Sequence, residues 1–233
     1  MKTEVLADAA AAAQRAAQVI AAEAHSAVRE RGRFCLAVSG GSTPWLMLRA
    51  LAGLDLPWHA VHLFQVDERV APAGDAARNL THIGASLLAH APLPRSQVHA
   101  MPVNDADLPA AAQHYAQTLQ RLAGAPAVLD LVHLGLGDDG HTASLVPGDA
   151  ALAVADADVA LTAPYKGHRR MTMTYPLLNR ARCVLWLATG AAKQPMLARL
   201  LAGDARIPAG RVESSRAWLL TDAAATGQAD SRA

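Results

Sequence analysis

The sequence predicts an α/β fold, a mostly parallel sheet with helices on both faces. Three observations lead there. Short apolar segments at residues 33–38, 61–66, 128–134 and 183–188 alternate with longer helical ones, the pattern of parallel strands joined by helical crossovers. Those segments are near-continuously apolar, as strands covered on both faces must be. The chain has 233 residues, 52% of them hydrophobic, which is enough to bury a sizeable core.

The elements follow in order. Residues 6–31 are Ala-rich with helical spacing, and Gly32 stops them. The strand at 33–38 ends in Ser39-Gly40-Gly41-Ser42-Thr43-Pro44, and a helix over 45–54 follows, with Thr43 and Pro44 at its cap and first turn. A second strand at 61–66 ends at Asp67-Glu68-Arg69. Helices are expected at 79–88 and 106–122. The third strand, 128–134, runs into Gly135-Leu136-Gly137-Asp138-Asp139-Gly140-His141. Residues 147–158 read as a loop, 159–163 and 170–174 as two further strands. The strand at 183–188 is followed by Thr189-Gly190 and a helix through Leu201, and 217–220 is a last strand. No internal repeat or linker is visible, so one α/β domain over 1–233 is the simplest organisation.

Composition narrows the function classes. Of the hydrophobic residues, 54 are alanines, which suits helical scaffold. The 21 Lys and Arg nearly balance 20 Asp and Glu, and a net charge of +1 argues against a nucleic-acid or polyanion surface. Only three of the cations are lysines: Lys2, Lys166 and Lys193. Cys35 and Cys183 are too few for a disulfide framework, and each lies in an apolar run, as inert core thiols do. No leader-like or membrane-length apolar segment is seen. The expectation is a cytoplasmic protein, monomeric or a small homo-oligomer, with no nucleic-acid or membrane partner.

Ligands of open α/β sheets bind beyond the carboxyl ends of the strands. Here four of those ends carry glycines, hydroxyls, carboxylates, a histidine and cations. Purely structural ends need turn residues but not this mixture. In the first loop, Gly40 and Gly41 allow close backbone approach, and the next helix offers free N–H groups with Ser42 and Thr43 hydroxyls. Alone, that loop reads equally as a phosphate cradle and as a capped tight turn. It is neither a Walker loop nor a nucleophile elbow. The third loop contains Gly-x-Gly-x-x-Gly at Gly135, Gly137 and Gly140, but Asp138 and Asp139 would repel a pyrophosphate there. His141 can accept a proton from water near neutral pH, with an adjacent carboxylate holding its tautomer. No pair of Cys or spaced His supports a metal site. Lys193 lies near a helix N-terminus, which is unfavourable unless an anion is present.

Taken together, Val38-Ser39-Gly40-Gly41-Ser42-Thr43-Pro44, Val66-Asp67-Glu68-Arg69-Val70, the run from Gly135 through His141-Thr142-Ala143-Ser144-Leu145-Val146-Pro147, Arg170-Met171-Thr172-Met173-Thr174 and Trp218-Leu219-Leu220-Thr221-Asp222 resemble the 6-phosphogluconolactonase family. The resemblance covers nearly the whole chain. It implies a Rossmann-like sheet, shared with sugar-phosphate deaminases and isomerases, and hydrolysis of 6-phospho-D-glucono-1,5-lactone with no cofactor or metal. By the same resemblance His141 is the general base and Asp139 orients it. Gly40, Gly41, Ser42 and Thr43 hold the 6-phosphate with Arg170 and Lys193. Asp67 and Arg69 face the sugar, Arg69 towards the carbonyl oxygen, and Asn79 fits the family pattern. The chain departs from that pattern at Arg78, which either adds a phosphate contact or points to solvent. It departs again in the basic stretch Tyr165-Lys166-Gly167-His168-Arg169, read as a flexible loop over the pocket. In a strand only one of Arg169 and Arg170 can face the ligand. The competing readings are a glucosamine-6-phosphate deaminase or isomerase, which the wider superfamily includes, and a non-catalytic sugar-phosphate sensor that keeps the glycine cradle without needing His141.

Overall fold

The computed structural model describes residues 1–227. Its strands are β1 (Lys2–Leu6), β2 (Phe34–Val38), β3 (Val61–Gln65), β4 (Asp67–Arg69), β5 (Val98–His99), β6 (Leu131–Leu134), β7 (Val159–Leu161), β8 (Arg170–Met173), β9 (Cys183–Ala188) and β10 (Ala217–Asp222). The helices are α1 (Ala9–Arg31), α2 (Ser42–Ala52), α3 (Asn79–Ile83), α4 (Leu108–Ala123), α5 (Tyr175–Arg180), α6 (Gln194–Leu201) and α7 (Ala223–Thr226).

Seven strands form one sheet in the order β1-β10-β9-β6-β2-β3-β5, and every pairing in it is parallel. From β2 the chain steps outward to β3 and β5. It then returns to β6, beside β2, and steps the other way to β9 and β10. The direction reverses between β2 and β6, which opens a crevice at their carboxyl ends.

The apolar strands are explained by burial on both sides. Along β2, Phe34, Leu36 and Val38 pack on the face covered by α1 and α2, while Cys35 and Ala37 pack on the opposite face with Tyr115 and Leu119 of α4. Helix α1 is capped by the Asp8 carboxylate, which accepts from Ala11 N at 2.8 Å, and by Gly32 at φ 74°. Its alanines 12, 13, 16 and 17 are buried; small side chains let this long helix lie close to the sheet. Both cysteines are buried free thiols, and burial pushes each up to about 12. Among the described residues, no helix is long and apolar enough to cross a membrane.

The structure corrects several local expectations. The chain starts with a strand, β1, ahead of the predicted helix, and β1 is an edge strand whose pattern is too polar to signal itself. Asp67-Glu68-Arg69, expected as the polar end of the second strand, forms a strand of its own. It is β4, which leaves the main sheet at Val66 and pairs antiparallel with β8, and β8 pairs antiparallel with β7. The strands expected near 159–163 and 170–174 therefore belong to a separate three-stranded sheet. Thr43 does not cap α2: that helix begins at Ser42 with Gly41 as its cap residue. The helix expected over 79–88 is α3 continued by one π-helical turn, Gly84–Leu88.

Candidate active site

The carboxyl ends of β2, β6 and β9 lie side by side, and the loops leaving them meet one edge of the small sheet. Their side chains line one open cleft. Ser39, Gly40, Gly41, Ser42, Thr43, Asp67, Arg69, Asn79, Asp138, His141, Lys166, Arg170, Thr189 and Lys193 all face it. Ten of the eleven residues singled out in the sequence are in this lining; Asp139 stands behind His141.

The histidine is positioned first by its loop. His141 Nδ1 lies 2.5 Å from Asp139 Oδ1, and the His141 N–H donates to the same oxygen at 3.1 Å. Tyr165 donates its hydroxyl to the other oxygen, Oδ2, at 2.9 Å. Burial pushes the Asp139 carboxyl up, but the bonds from His141 and Tyr165 outweigh that and hold it at about 2. The carboxylate is thus ionised at neutral pH and fixes the Nδ1–H tautomer, leaving Nε2 for water. The ring rests on bare backbone: a Cβ on Gly137 would lie 2.0 Å from His141 Nδ1. Beyond it, Ala143 takes φ 51°, a left-handed conformation uncommon outside glycine, and turns the chain so that Ser144 points back under the cleft.

The small sheet supplies the next group. In register, Arg69 stands opposite Arg170, and Asp67 opposite Thr172. Asp67 is buried and accepts from Ser144 Oγ at 2.6 Å and from Asn79 Nδ2 at 3.2 Å. Arg170 is 6% exposed, 4.0 Å from Asp67 Oδ2, with only long 3.5 Å contacts to Ser144 Oγ and Tyr165 O. Burial lowers its ordinary pKa while Asp67 partly restores it. Its Nε is buried without a partner. Arg169, one residue earlier, is exposed. The strand alternation therefore selects Arg170 for the cleft. Arg69 donates through Nη1 to Asn79 Oδ1 at 2.6 Å and to Ala77 O at 3.0 Å, and its Nε is unpaired.

Glu68 alternates to the other side of β4 and is fully buried. It accepts from the N–H groups of Asn79 and Leu80 at the start of α3, and it pairs with Arg78 at 3.1 Å. This decides Arg78, which neither reaches the cleft nor points to solvent. It is the buried partner of Glu68, also bonded to Ala71 O and Asn104 Oδ1. That pair fixes α3 and so places Asn79. Asn79 in turn sits against Gly40, where a Cβ would lie 2.0 Å from its Oδ1, so glycine is needed there for close approach.

On the opposite wall, Gly41 takes φ 141° and α2 opens at Ser42, with the N–H groups of its first turn toward the cleft. Thr43 bonds Thr189 across the cleft at 2.7 Å, tying the loops after β2 and β9 together. Lys193 stands at the N-cap of α6, and the anion its position calls for is Asp138, 2.5 Å from Nζ. The hydrogen bond from Lys193 and its charge hold the Asp138 carboxyl below the usual range.

Sequence reasoning gave no role to Tyr165, Lys166, Ser144, Thr189 or Glu68. Ser144 and Thr189 lie inside motifs already noticed. Tyr165 and Lys166 had only the basic character of their stretch as a signal. That stretch is not an open loop: Lys166 and Gly167 both have positive φ and close a two-residue turn across the Tyr165–His168 bridge, as type I′ turns do.

Comparison with known proteins adds four findings. The family profile described as glucosamine-6-phosphate isomerases/6-phosphogluconolactonase matches residues 7–221. A 6-phosphogluconolactonase from Nostoc sp. is 37% identical over 206 residues, covering 87% of this chain and 85% of that one. Among solved structures, a 6-phosphogluconolactonase from Thermotoga maritima superposes with a TM-score of 0.84 at 26% identity, over 95% of this chain and 98% of that one. A monomeric glucosamine-6-phosphate deaminase superposes as well, with a TM-score of 0.84 at 20% identity over 98% of this chain and 100% of that one; this last likeness concerns the fold alone.

Proposed function

The chain belongs to the glucosamine-6-phosphate isomerase/6-phosphogluconolactonase family, and from that premise we propose that it is a cytoplasmic enzyme hydrolysing 6-phospho-D-glucono-1,5-lactone to 6-phospho-D-gluconate in the oxidative pentose phosphate pathway. The observation that carries the reading is the Asp139–His141 pair at 2.5 Å, set in a cleft whose other walls are arginines and a helix N-terminus.

In this reading the 6-phosphate lies over Gly40, Gly41, Ser42 and Thr43, where α2 offers unpaired N–H groups. Lys193 and Arg170 supply charge. Arg69 and Arg170 face each other across two strands, an arrangement that costs free energy until an anion arrives. Water held by His141 Nε2 attacks the lactone carbonyl while the imidazole takes its proton, and Asp139 stabilises the imidazolium. The uncommitted nitrogens of Arg69 face the developing oxyanion. When the tetrahedral species collapses, the ring C–O bond breaks, and the departing oxygen takes the proton back from His141. Asp67, already held by Ser144 and Asn79, faces the sugar hydroxyls. A lactone is an activated ester, so a positioned base and a cation suffice without a covalent nucleophile.

The fold is shared with a deaminase, so the test is the reaction. Wild-type protein is expected to accelerate lactone loss above the spontaneous rate, and His141→Ala to abolish most of the acceleration. A His141→Ala rate equal to wild type would remove His141 from this role. Ammonia release from glucosamine 6-phosphate would support the deaminase instead, and phosphosugar binding without turnover of either substrate would support a sensor.

A further inference from the structure

Asp139 has two oxygens with different partners. Oδ1 serves His141 twice, through Nδ1 and through the backbone N–H; Oδ2 is held by the Tyr165 hydroxyl at 2.9 Å. The Tyr165 ring also stands edge-on to the imidazole, with centroids 5.6 Å apart and planes at 68°. The tyrosine is itself held at both ends. Its backbone N–H donates to His168 O at 2.9 Å within the tight turn, and the Arg170 guanidinium lies 5.2 Å from its ring centroid. A residue from the turn between β7 and β8 thus reaches the carboxylate that orients the base.

We infer that Tyr165 is a positioning residue for the Asp139–His141 pair: its hydroxyl occupies Oδ2, keeps Oδ1 aimed at the imidazole, and limits how strongly the carboxylate attracts the imidazolium. This rests on the reading of His141 as general base. A carboxylate that already accepts from a phenol is a weaker acceptor for a second cationic donor. Burial, then the hydrogen bond to Asp139 and the charge of that carboxylate, raise the phenol above its ordinary value, so it stays a donor through the neutral range.

The groups around the imidazole allow this effect to be isolated. From its own loop come Asp138 and Asp139. From the turn come Tyr165 and Lys166, the latter 5.3 Å from the Tyr165 ring. Lys193 is engaged by Asp138, and Arg170 stands behind the tyrosine. Tyr165→Phe removes one hydroxyl, retains the ring against His141 and changes no charge.

With the hydroxyl gone, Oδ2 becomes a free acceptor and the carboxylate holds the imidazolium more tightly. The acidic limb of the kcat/KM profile in Tyr165→Phe should therefore move to higher pH, by roughly half a unit to one unit. The histidine ring resonances of substrate-free protein, titrated by NMR, should include one that moves the same way and is absent from His141→Ala. A limb and a ring titration that both superpose on wild type would overturn the inference, even if KM or stability changed, because a merely structural tyrosine would move those alone. The two failures are distinguishable. If wild type lacks lactonase activity, the enzymatic reading falls, while the NMR titration still decides whether Tyr165 sets the Asp139–His141 pair.

Discussion

Gly137→Ala tests the positioning of the base without touching its chemistry. A Cβ built on Gly137 would lie 2.0 Å from His141 Nδ1, 2.2 Å from Cε1 and 2.6 Å from Cγ. Ordinary contact begins at 3.4 Å, so the ring must retreat by 1.4 Å or rotate away. The bond it would lose is the 2.5 Å contact to Asp139. Catalytic groups tolerate displacements of only about 0.5 Å, and a misplacement of about 1 Å costs on the order of 10²-fold. Gly137 has no left-handed φ, so alanine fits the backbone there, and the His141 side chain is 21% exposed with room to swing outward. The expected result is a fall in kcat of about 10²-fold or more, with a melting temperature close to wild type. Lactone hydrolysis corrected for the spontaneous rate, beside thermal denaturation by circular dichroism, gives both numbers. A folded variant with kcat within threefold of wild type would refute the argument that this glycine exists to seat the histidine.

Three further outcomes follow from the same geometry. Arg78→Met leaves Glu68 buried and uncompensated, so it should destabilise the protein by about 3–5 kcal/mol in chemical denaturation, whereas a phosphate-binding Arg78 would show its effect in KM with stability intact. Asp138→Asn frees Lys193 from its 2.5 Å ion pair and should lower KM for the phosphosugar lactone; an unchanged or higher KM would show that the pair does not compete with substrate. His133 is fully buried, and burial lowers it to about 3. Its Nδ1 accepts the Ser39 N–H at 3.3 Å. The unfolded state takes up that proton below about pH 6.5 and the folded state does not. This residue therefore contributes a loss of stability as pH falls from 6.5 towards 3, with a limiting slope of about 1.4 kcal/mol per pH unit. Urea denaturation at several pH values should show that slope weakened in His133→Leu, and an identical pH dependence in the variant would contradict it.

The core strands and the cleft residues were legible because their signals are local. Continuous apolar runs mark strands buried on both faces, and β2, β6 and β9 fall within the segments expected. Glycine, hydroxyl and carboxylate clusters at their ends marked the cleft for the same reason: each is contiguous in the chain. β1 was missed because an edge strand needs little apolar pattern. The strand expected over 128–134 is confined to Leu131–Leu134, because Asp130 turns in to accept the Cys35 N–H at 2.8 Å.

The sequence by itself determined the fold class, the family and nearly the whole set of side chains in the cleft, since periodicity and motif are properties of neighbouring residues. Only the tertiary structure decided their partners. Asp67 and Arg170 are brought together by the antiparallel pairing of β4 with β8, which no local pattern announces. The same pairing separates Arg170 from exposed Arg169. Arg78 is decided by Glu68, ten residues back and on the far side of its strand, Lys193 by Asp138, 55 residues away, and Thr43 by Thr189, 146 residues away. Tyr165 reaches Asp139 only because a two-residue turn folds over the cleft. Each of these pairings depends on how strands and loops stack in space, and for the buried pairs, Asp67 with Arg170 and Glu68 with Arg78, the energy that selects one partner over another comes from burial, which exists only once the chain is folded.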